Sequence, residues 1–378
     1  MSSSRVHFAL AHAVLLSAPM TSTSQAVAVL GVLSLFSITA CQDRVVTSPG
    51  ESVGTPSVSL PGYPNAIAQE ASFIYVASDD GFLRRIDKAT MTVTTLAHVD
   101  APFVDGIAID GTDIYFTVLL GGGTKGDVRR VAKTGGTPEI LATGFLHPAG
   151  IVLDDTTVYV ADMGTFAVGA SGTDGVIRSL PKSGGSPVVL ASGEQLPYAI
   201  ALDETGVVWG NTSWGGINGA VRRIDKTGGV VTTLAANVDP ETITALHASV
   251  FWQGELGIQT VLLNGGSVRT LTSRGRNGRG AFALDETGAY FDEDWQPNSP
   301  ASVFYVPLSG GAPVPFVEPN AAVADEVTGG VVFALVDACK LFVLDYDATY
   351  AGSSQTTVHR FDKTNRTTTT PAAAACPY

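Results

Sequence analysis

The sequence predicts an all-β fold: a single seven-bladed β-propeller of four-stranded antiparallel blades, spanning residues 60–378. Three observations carry that expectation. The 42 Gly and 20 Pro, with frequent Val, Thr and Tyr and few helix-forming runs, suit many short strands joined by tight turns. Apolar residues recur with period two within each segment, which excludes helical solenoids. One phrase also recurs in step for fourteen residues: "RRIDKATMTVTTLA" from Arg84 returns as "RRIDKTGGVVTTLA" from Arg222. A catalytic site is normally unique, so this reuse points to a structural unit.

Each unit opens on an apolar run that mostly ends in an acid: "NAIAQE" at Asn65, "DGIAID" at Asp105, "AGIVLD" at Ala149, "YAIALD" at Tyr198, "ITALH" at Ile243, "AFALD" at Ala281 and "AAVAD" at Ala321. A tight turn follows, written "ALDETG" at both Ala201 and Ala283. The second strand carries an aromatic: "FIYVAS", "DIYFTV", "TVYVAD", "VVWGN", "VFWQG", "AYFDED" and "VVFALV". After a variable loop the third strand reads "FLRRIDK", "DVRRVAK", "VIRSLPK", "AVRRIDK", "IQTVLLN", "VFYVPLS" or "TVHRFDK". A Gly-rich hairpin such as "KTGG" or "KSGG" turns the chain into a fourth strand, for example "SPVVLAS". From Arg84 through Arg129, Ile177, Arg222, Gln259, Phe304 and His359, the third strands lie 45, 48, 45, 37, 45 and 55 residues apart. That period is the mark of a propeller blade. A six-bladed ring is the alternative if the short unit at Thr244 to Arg274 is not a full blade. Closure has two candidates as well, an outer strand from "PSVSL" near Val58 or a clasp between cysteines, because "RTTTTPA" reads as the last unit's own fourth strand.

The N-terminus reads as an address. Arg5 is the only charge before Cys41, and the apolar run Ala26 to Ala40 is short for a membrane span. Its end, Ile38-Thr39-Ala40-Cys41, resembles the lipobox of bacterial lipoproteins. The resemblance implies a signal peptide over residues 1–40, lipid on Cys41 and a Ser/Pro/Gly-rich tether over 41–59. Gln42, where a retention signal would place Asp, implies the outer membrane, with either side of it open. With Cys41 lipidated, Cys339 and Cys376 form an even pair in an oxidising compartment. A bridge between them would enclose about 36 residues and contribute on the order of 4 kcal/mol in the chain-entropy description. A metal site built on two cysteines is the weaker reading. Formal net charge is −13, which argues against nucleic acid and against an anionic membrane surface as partners.

"VYVAD" at Val158 followed by "GVIRSLPKSGG" resembles the YWTD and NHL classes of propeller repeat, and the body from about residue 60 to 372 is similar to them in rhythm. The resemblance implies a fold; function must come from a site. In such a ring the first strands line the central channel, and the loops between second and third strands share one face with those between blades. These loops vary in length, whereas the turns opposite are uniform, so the variable face is the expected binding face. Cys339, at the start of the last such loop, and Cys376, after the last fourth strand, are both expected on that face.

Asn65, Asp105, Ala149, Tyr198, Thr242 or Glu241, Gly280 and Asn320 fall at the channel mouth on this reading. Asn65, Asp105 and Asn320 offer oxygen atoms to Ca²⁺ in the manner of gluconolactonase-like propeller hydrolases; a polar, water-filled channel is the plainer reading. His98 and His147 with Asp100 form a thin zinc candidate, and separate surface histidines account for them equally well. No nucleophile elbow is present, and no Ser–His or Cys–His pattern stands out. "SRGRNGRG" from Ser273 places Arg276 and Arg279 among glycines, and "DEDWQ" from Asp292 adds acids and Trp295. With Trp214 and Tyr198 these residues suit anion contacts and stacking; internal pairing of the two loops is the bland counterpart. The expectation is a monomeric, lipid-anchored envelope protein, not an enzyme, that binds a protein or glycan without a cofactor. A metal-dependent hydrolase or lyase is its rival.

Overall fold

The computed structural model describes residues 56–101, 103–120, 125–165, 172–213, 217–274, 281–292, 303–317, 330–347 and 355–363. Among the described residues twenty-eight strands form seven four-stranded antiparallel sheets, the blades of a seven-bladed propeller. The first described strand is β1 (Ser57–Pro61). Blade one follows as β2 (Pro64–Gln69), β3 (Phe73–Ser78), β4 (Phe82–Asp87) and β5 (Val93–His98), and blade two as β6 (Phe103–Ile109), β7 (Asp113–Leu119), β8 (Gly126–Ala132) and β9 (Glu139–Phe145). Blade three is β10 (Pro148–Leu153), β11 (Thr157–Asp162), β12 (Gly175–Pro181) and β13 (Val188–Glu194); blade four is β14 (Pro197–Leu202), β15 (Gly206–Asn211), β16 (Gly219–Asp225) and β17 (Thr232–Val238). Blade five is β18 (Thr242–Leu246), β19 (Ser249–Gly254), β20 (Gly257–Leu262) and β21 (Arg269–Thr272), and blade six β22 (Phe282–Leu284), β23 (Gly288–Asp292), β24 (Val303–Pro307) and β25 (Val314–Val317). The seventh unit supplies β26 (Gly330–Val336), β27 (Lys340–Asp347) and β28 (Gln355–Asp362).

Blade seven is completed by β1, in the order β1-β28-β27-β26, with Ser57 opposite His359 and Pro61 opposite Gln355. The "PSVSL" segment therefore closes the ring, and the outer place assigned to "RTTTTPA" is taken by β1. Residues 364–378 lie outside the described residues. The short fifth unit is a full blade, which sets the six-bladed alternative aside. One frame slip also needs correction. "VVFALV" is the inner strand of blade seven and not its second; the second is "KLFVLDYD". Asp337, in "VDACK", is the turn acid that "LDETG" supplies elsewhere.

The apolar core lies between neighbouring blades. Ala66, Tyr75 and Leu83 of blade one pack with Val104, Ile114 and Phe116 of blade two, and Val208 and Val221 of blade four with Val250 and Trp252 of blade five. A second strand is covered on both faces, so it reads as a nearly continuous apolar run: β15 (GVVWGN) is buried along its whole length. Burying a large side chain such as Val208 or Trp252 stabilises the packed ring by about 1.5–3 kcal/mol. The outer edges are exposed, and each of the six outer strands of blades one to six carries a register shift against its neighbour. Such bulges blunt an edge against strand addition. Among the described residues no helix is long and apolar enough to cross a membrane.

Candidate functional site

The two faces of the ring are chemically different. On one, the turns between first and second strands span two or three residues, and those between third and fourth strands five or six. On the other, the loops between second and third strands run from two residues to twelve.

The uniform face is a rim of repeated hydrogen bonds. In blade two, Asp110 Oδ1 accepts the Thr112 and Asp113 backbone N–H groups at 2.9 Å each, which fixes the turn. Its Oδ2 accepts the Tyr115 hydroxyl at 3.1 Å and meets Lys182 of blade three at 3.0 Å. The same device recurs as Glu70–Tyr75–Lys133, Asp154–Tyr159–Lys226 and Asp285–Tyr290–Lys363, with Lys–carboxylate distances of 2.5, 3.6 and 2.5 Å. Asp337 with Lys88 at 3.1 Å closes the series between blades seven and one. Each lysine comes from the next blade, and those of the Tyr75, Tyr115 and Tyr290 copies also lie over the ring of that tyrosine.

Burial raises the Asp110, Asp154 and Asp285 pKa values, but the turn N–H groups, the tyrosine hydroxyl and the lysine outweigh it and hold them below the usual carboxylate range. Burial and the neighbouring carboxylate push Tyr115 and Tyr159 up to about 12. A return link runs from the second arginine of the repeated pair to the lysine carbonyl of the next blade: Arg85 to Lys133 O and Arg130 to Lys182 O at 3.4 Å, and Arg360 to Lys88 O at 2.7 Å. The first arginine instead meets an acid: Arg129 meets Asp127 of its own blade at 2.8 Å, and Arg222 meets Glu194 of blade three at 3.2 Å.

Blade five breaks the pattern. Leu263 stands at its lysine position and His247 at its turn-acid position. Asp203 of blade four, deprived of a lysine, takes Arg223 of its own blade at 2.6 Å. Among the described residues, neither the lysine clasp nor the arginine return link joins blades four and five; the apolar cluster around Val208, Ile243 and Trp252 does.

On the variable face the channel mouth opens into a cavity of about 300 Å³. Asn65, Asp105, Tyr198, Glu241 and Thr242 line its upper part, and Ile67, Ile107, Ile151, Ile200, Phe282 and Phe333 also line it. Asn65 Nδ2 and Thr242 Oγ1 are buried without a hydrogen-bond partner among the described residues. His147 Nε2 lies 3.3 Å from Asp105 Oδ2. Asp162, the last residue of "VYVAD", is fully buried and accepts the His147 N–H at 2.8 Å and the Leu146 N–H at 3.2 Å, so it sets the loop that brings His147 to Asp105. Glu194 and Asp239 do similar work, accepting Trp209 Nε1 and Asn211 Nδ2 in one case and the Thr212 hydroxyl and Ser213 N–H in the other.

The structure thus brings Asn65, Asp105 and Tyr198 together at one cavity, as the channel-mouth reading expects. Ala149 is buried, and Gly150 lines the cavity in its blade. His98 pairs with exposed Asp100 at 3.0 Å, whereas His147 goes to Asp105, so the zinc candidate is not assembled. Among the described residues no group of three or more His, Cys, Asp or Glu is placed to hold a metal ion. Trp214, Arg276, Arg279, Gly280, Trp295, Asn320, Cys41 and Cys376 lie outside the described residues. Cys339 is on the uniform face and not the variable one: it sits in the β26–β27 turn, its N–H donating to Asp337 Oδ1 at 3.0 Å. The frame slip in blade seven accounts for that correction.

No protein-family model matches the chain, and no curated protein matches it. Among solved structures, a chain from the crystal structure of a nidogen/laminin complex is 19% identical, over 63% of this chain and 90% of that one, with a TM-score of 0.48. The crystal structure of the computationally designed Ika8 protein covers 80% of this chain and 98% of its own, at 10% identity and a TM-score of 0.53. The second likeness concerns the fold alone.

Proposed function

We propose that this chain is a binding protein of the bacterial envelope, held to the outer membrane by lipid on Cys41, and that it receives an envelope protein or glycan on its variable-loop face, at the mouth of the central channel. The lipobox-like Ile38-Thr39-Ala40-Cys41 supports the anchor, and the acidic composition suits a soluble body beside a membrane. One observation carries the choice of face. On the rim, the turn carboxylates are consumed in links that hold the ring, while the mouth keeps buried polar atoms, Asn65 Nδ2 and Thr242 Oγ1, with no hydrogen-bond partner among the described residues. Native proteins seldom leave such atoms unbonded, and a ligand can satisfy them. In this reading Tyr198 supplies a stacking surface at the mouth, with Trp214, Trp295, Arg276 and Arg279 on neighbouring loops, and Cys339 bridges Cys376 to tie the chain end to blade seven.

A photoreactive amino acid placed at Tyr198, at the mouth, and separately at exposed Glu204, on the uniform face, tests the choice in cells. Cross-linked adducts from position 198 and none from 204 are expected; adducts from 204 alone contradict the reading. Metal analysis of the purified mature chain, with melting measured before and after chelation, addresses the rival hydrolase. Bound metal and a chelation-dependent drop in melting temperature would favour that rival.

A further inference from the structure

We infer that the uniform face lies against a zwitterionic lipid surface, touching it through apolar hairpin tips of blades two to five, so that the channel mouth points away from the membrane. This rests on the reading that Cys41 carries the lipid, and it adds which way the anchored ring faces. The first observation is where the chain enters. β1 runs antiparallel to β28, and the Arg360 N–H donates to Pro56 O at 3.0 Å beside the uniform-face end of that strand. The segment from Cys41 to Thr55 is therefore joined to the ring at its uniform face. Fifteen residues of that Ser/Pro/Gly-rich composition reach about 20 Å as a coil. The eight residues of β27 rise about 25 Å from one face toward the other. Turning the mouth to the membrane would use the whole reach of the tether in climbing the blade.

The second observation is where exposed apolar side chains collect. Nine large ones are exposed among the described residues. Six of them, Ile140, Val188, Val189, Val230, Leu262 and Val268, stand within four residues of the Gly-Gly pair in the hairpins between third and fourth strands of blades two to five. Val230 is 87% exposed and Val188 60%. The matching hairpin of blade one lacks the glycine pair and buries Met91. Equivalent hairpins of successive blades turn about one axis, so their tips share one height, and a plane can touch all four where a protein pocket could not. Register shifts along these outer strands also oppose strand addition by a protein. The third observation is charge. The turn carboxylates of the rim are clasped, but Asp155 and Glu204 stay exposed at turns nearer the channel, which disfavours an anionic headgroup and leaves apolar contact with a neutral one. Each tip adds little alone; the anchor raises the local concentration of lipid, so that small contacts suffice to orient the ring.

Light-activated labelling from the bilayer tests the inference. The full mature chain, with an oligohistidine tag at its N-terminus, is held by nickel-chelating lipid on phosphatidylcholine vesicles whose acyl chains carry a diazirine, and labelled peptides are read by mass spectrometry. Peptides holding Val188 and Val230 are expected to carry about fivefold more label than those holding Leu146 and Ile217 on the variable face. Val188→Asp combined with Val230→Asp is expected to cut the hairpin label about threefold at an unchanged melting temperature, and Ile217→Asp to leave it as it was. Equal labelling of the two faces, label on the variable face alone, or hairpin label unmoved by the double variant overturns the inference. The anchor is tested apart, by the intact mass of the chain extracted from cells. Acyl on Cys41 without hairpin label sinks the lipid contact and leaves the anchor standing. Hairpin label with an unmodified Cys41 supports the contact surface and sinks the anchor.

Discussion

The two faces of this ring use the same residue types to opposite ends. On the uniform face, acids, tyrosines and lysines recur blade after blade at one register: Asp110 with Tyr115 and Lys182 is repeated almost atom for atom by Asp285 with Tyr290 and Lys363. On the variable face, the acids Asp105 and Glu241 stand at equivalent depths where other blades place Asn65 or Tyr198, and nothing repeats. The difference teaches that polar residues shared by the repeats belong to the scaffold, and that those on which the repeats disagree are where chemistry is free to specialise. Blade five sharpens the rule from inside the rim, because Leu263 and His247 show what the scaffold does when its own pattern is lost.

The broadest way to break the comparison is pH. Glu70, Asp110, Asp154, Asp203 and Asp285 are all held below their ordinary pKa values in the folded ring, with burial opposing and hydrogen bonds prevailing. A carboxylate depressed in the folded state contributes stability that is complete above its unfolded pKa, about 4, and is lost as pH falls below it. Melting temperature is therefore expected to drop steeply between pH 4 and 2. Raised tyrosines work in the opposite direction: the contributions of Tyr115 and Tyr159 are complete below about pH 10 and are lost as pH rises through about 12. Asp105→Asn, at the mouth, is expected to leave both limbs in place.

Next in size is Lys363→Met. Lys363 and Asp285 are 2.5 Å apart with side chains only 10% and 15% exposed, and removing one member leaves the other charge largely desolvated. Urea unfolding is expected to show a loss of about 3 kcal/mol. A smaller effect follows at the seam between blades four and five. Leu263→Lys offers Asp203 the missing clasp, but Arg223 already holds that carboxylate at 2.6 Å, so the gain is expected to stay within about 0.5 kcal/mol. Hydrogen exchange read across β17 and β18 is the sharper gauge there, with this seam losing protection before the lysine-clasped ones. Smallest is His247→Ala: His247 and Glu286 are both about two-thirds exposed, and the change in stability is expected to fall within about 0.5 kcal/mol.

Most of the fold was legible because period-two strands and a recurring acid turn are local signals. What failed was local as well. "VDACK" lacks the glycine of "LDETG", and "VVFALV" is apolar throughout, so the inner strand of blade seven passed for a second strand and carried Cys339 to the wrong face. The five residues of β1 gave too short a pattern to decide ring closure alone. The lysine clasp was invisible for a different reason, since Lys133 and Glu70 are 63 residues apart and only folding brings them together. A signal did exist: His247 replaces the turn acid of blade five and Leu308 the lysine of blade six, so the two partners of one clasp are lost together. At the mouth, Asn65, Asp105 and Tyr198 followed from strand phase, while the role of Asp162 in setting His147 could not, because it runs through backbone N–H groups of a loop.

The central claim, that the rim builds the ring and the mouth does the binding, meets its most direct test in the cross-linking yield from position 198. The yield is compared in Asp105→Ala and Lys363→Met backgrounds, at a temperature where both remain folded. The account predicts that Asp105→Ala lowers the yield and keeps the parental melting temperature, while Lys363→Met lowers the melting temperature and keeps the yield. The reverse pairing, with yield following the rim and indifferent to Asp105, would contradict it.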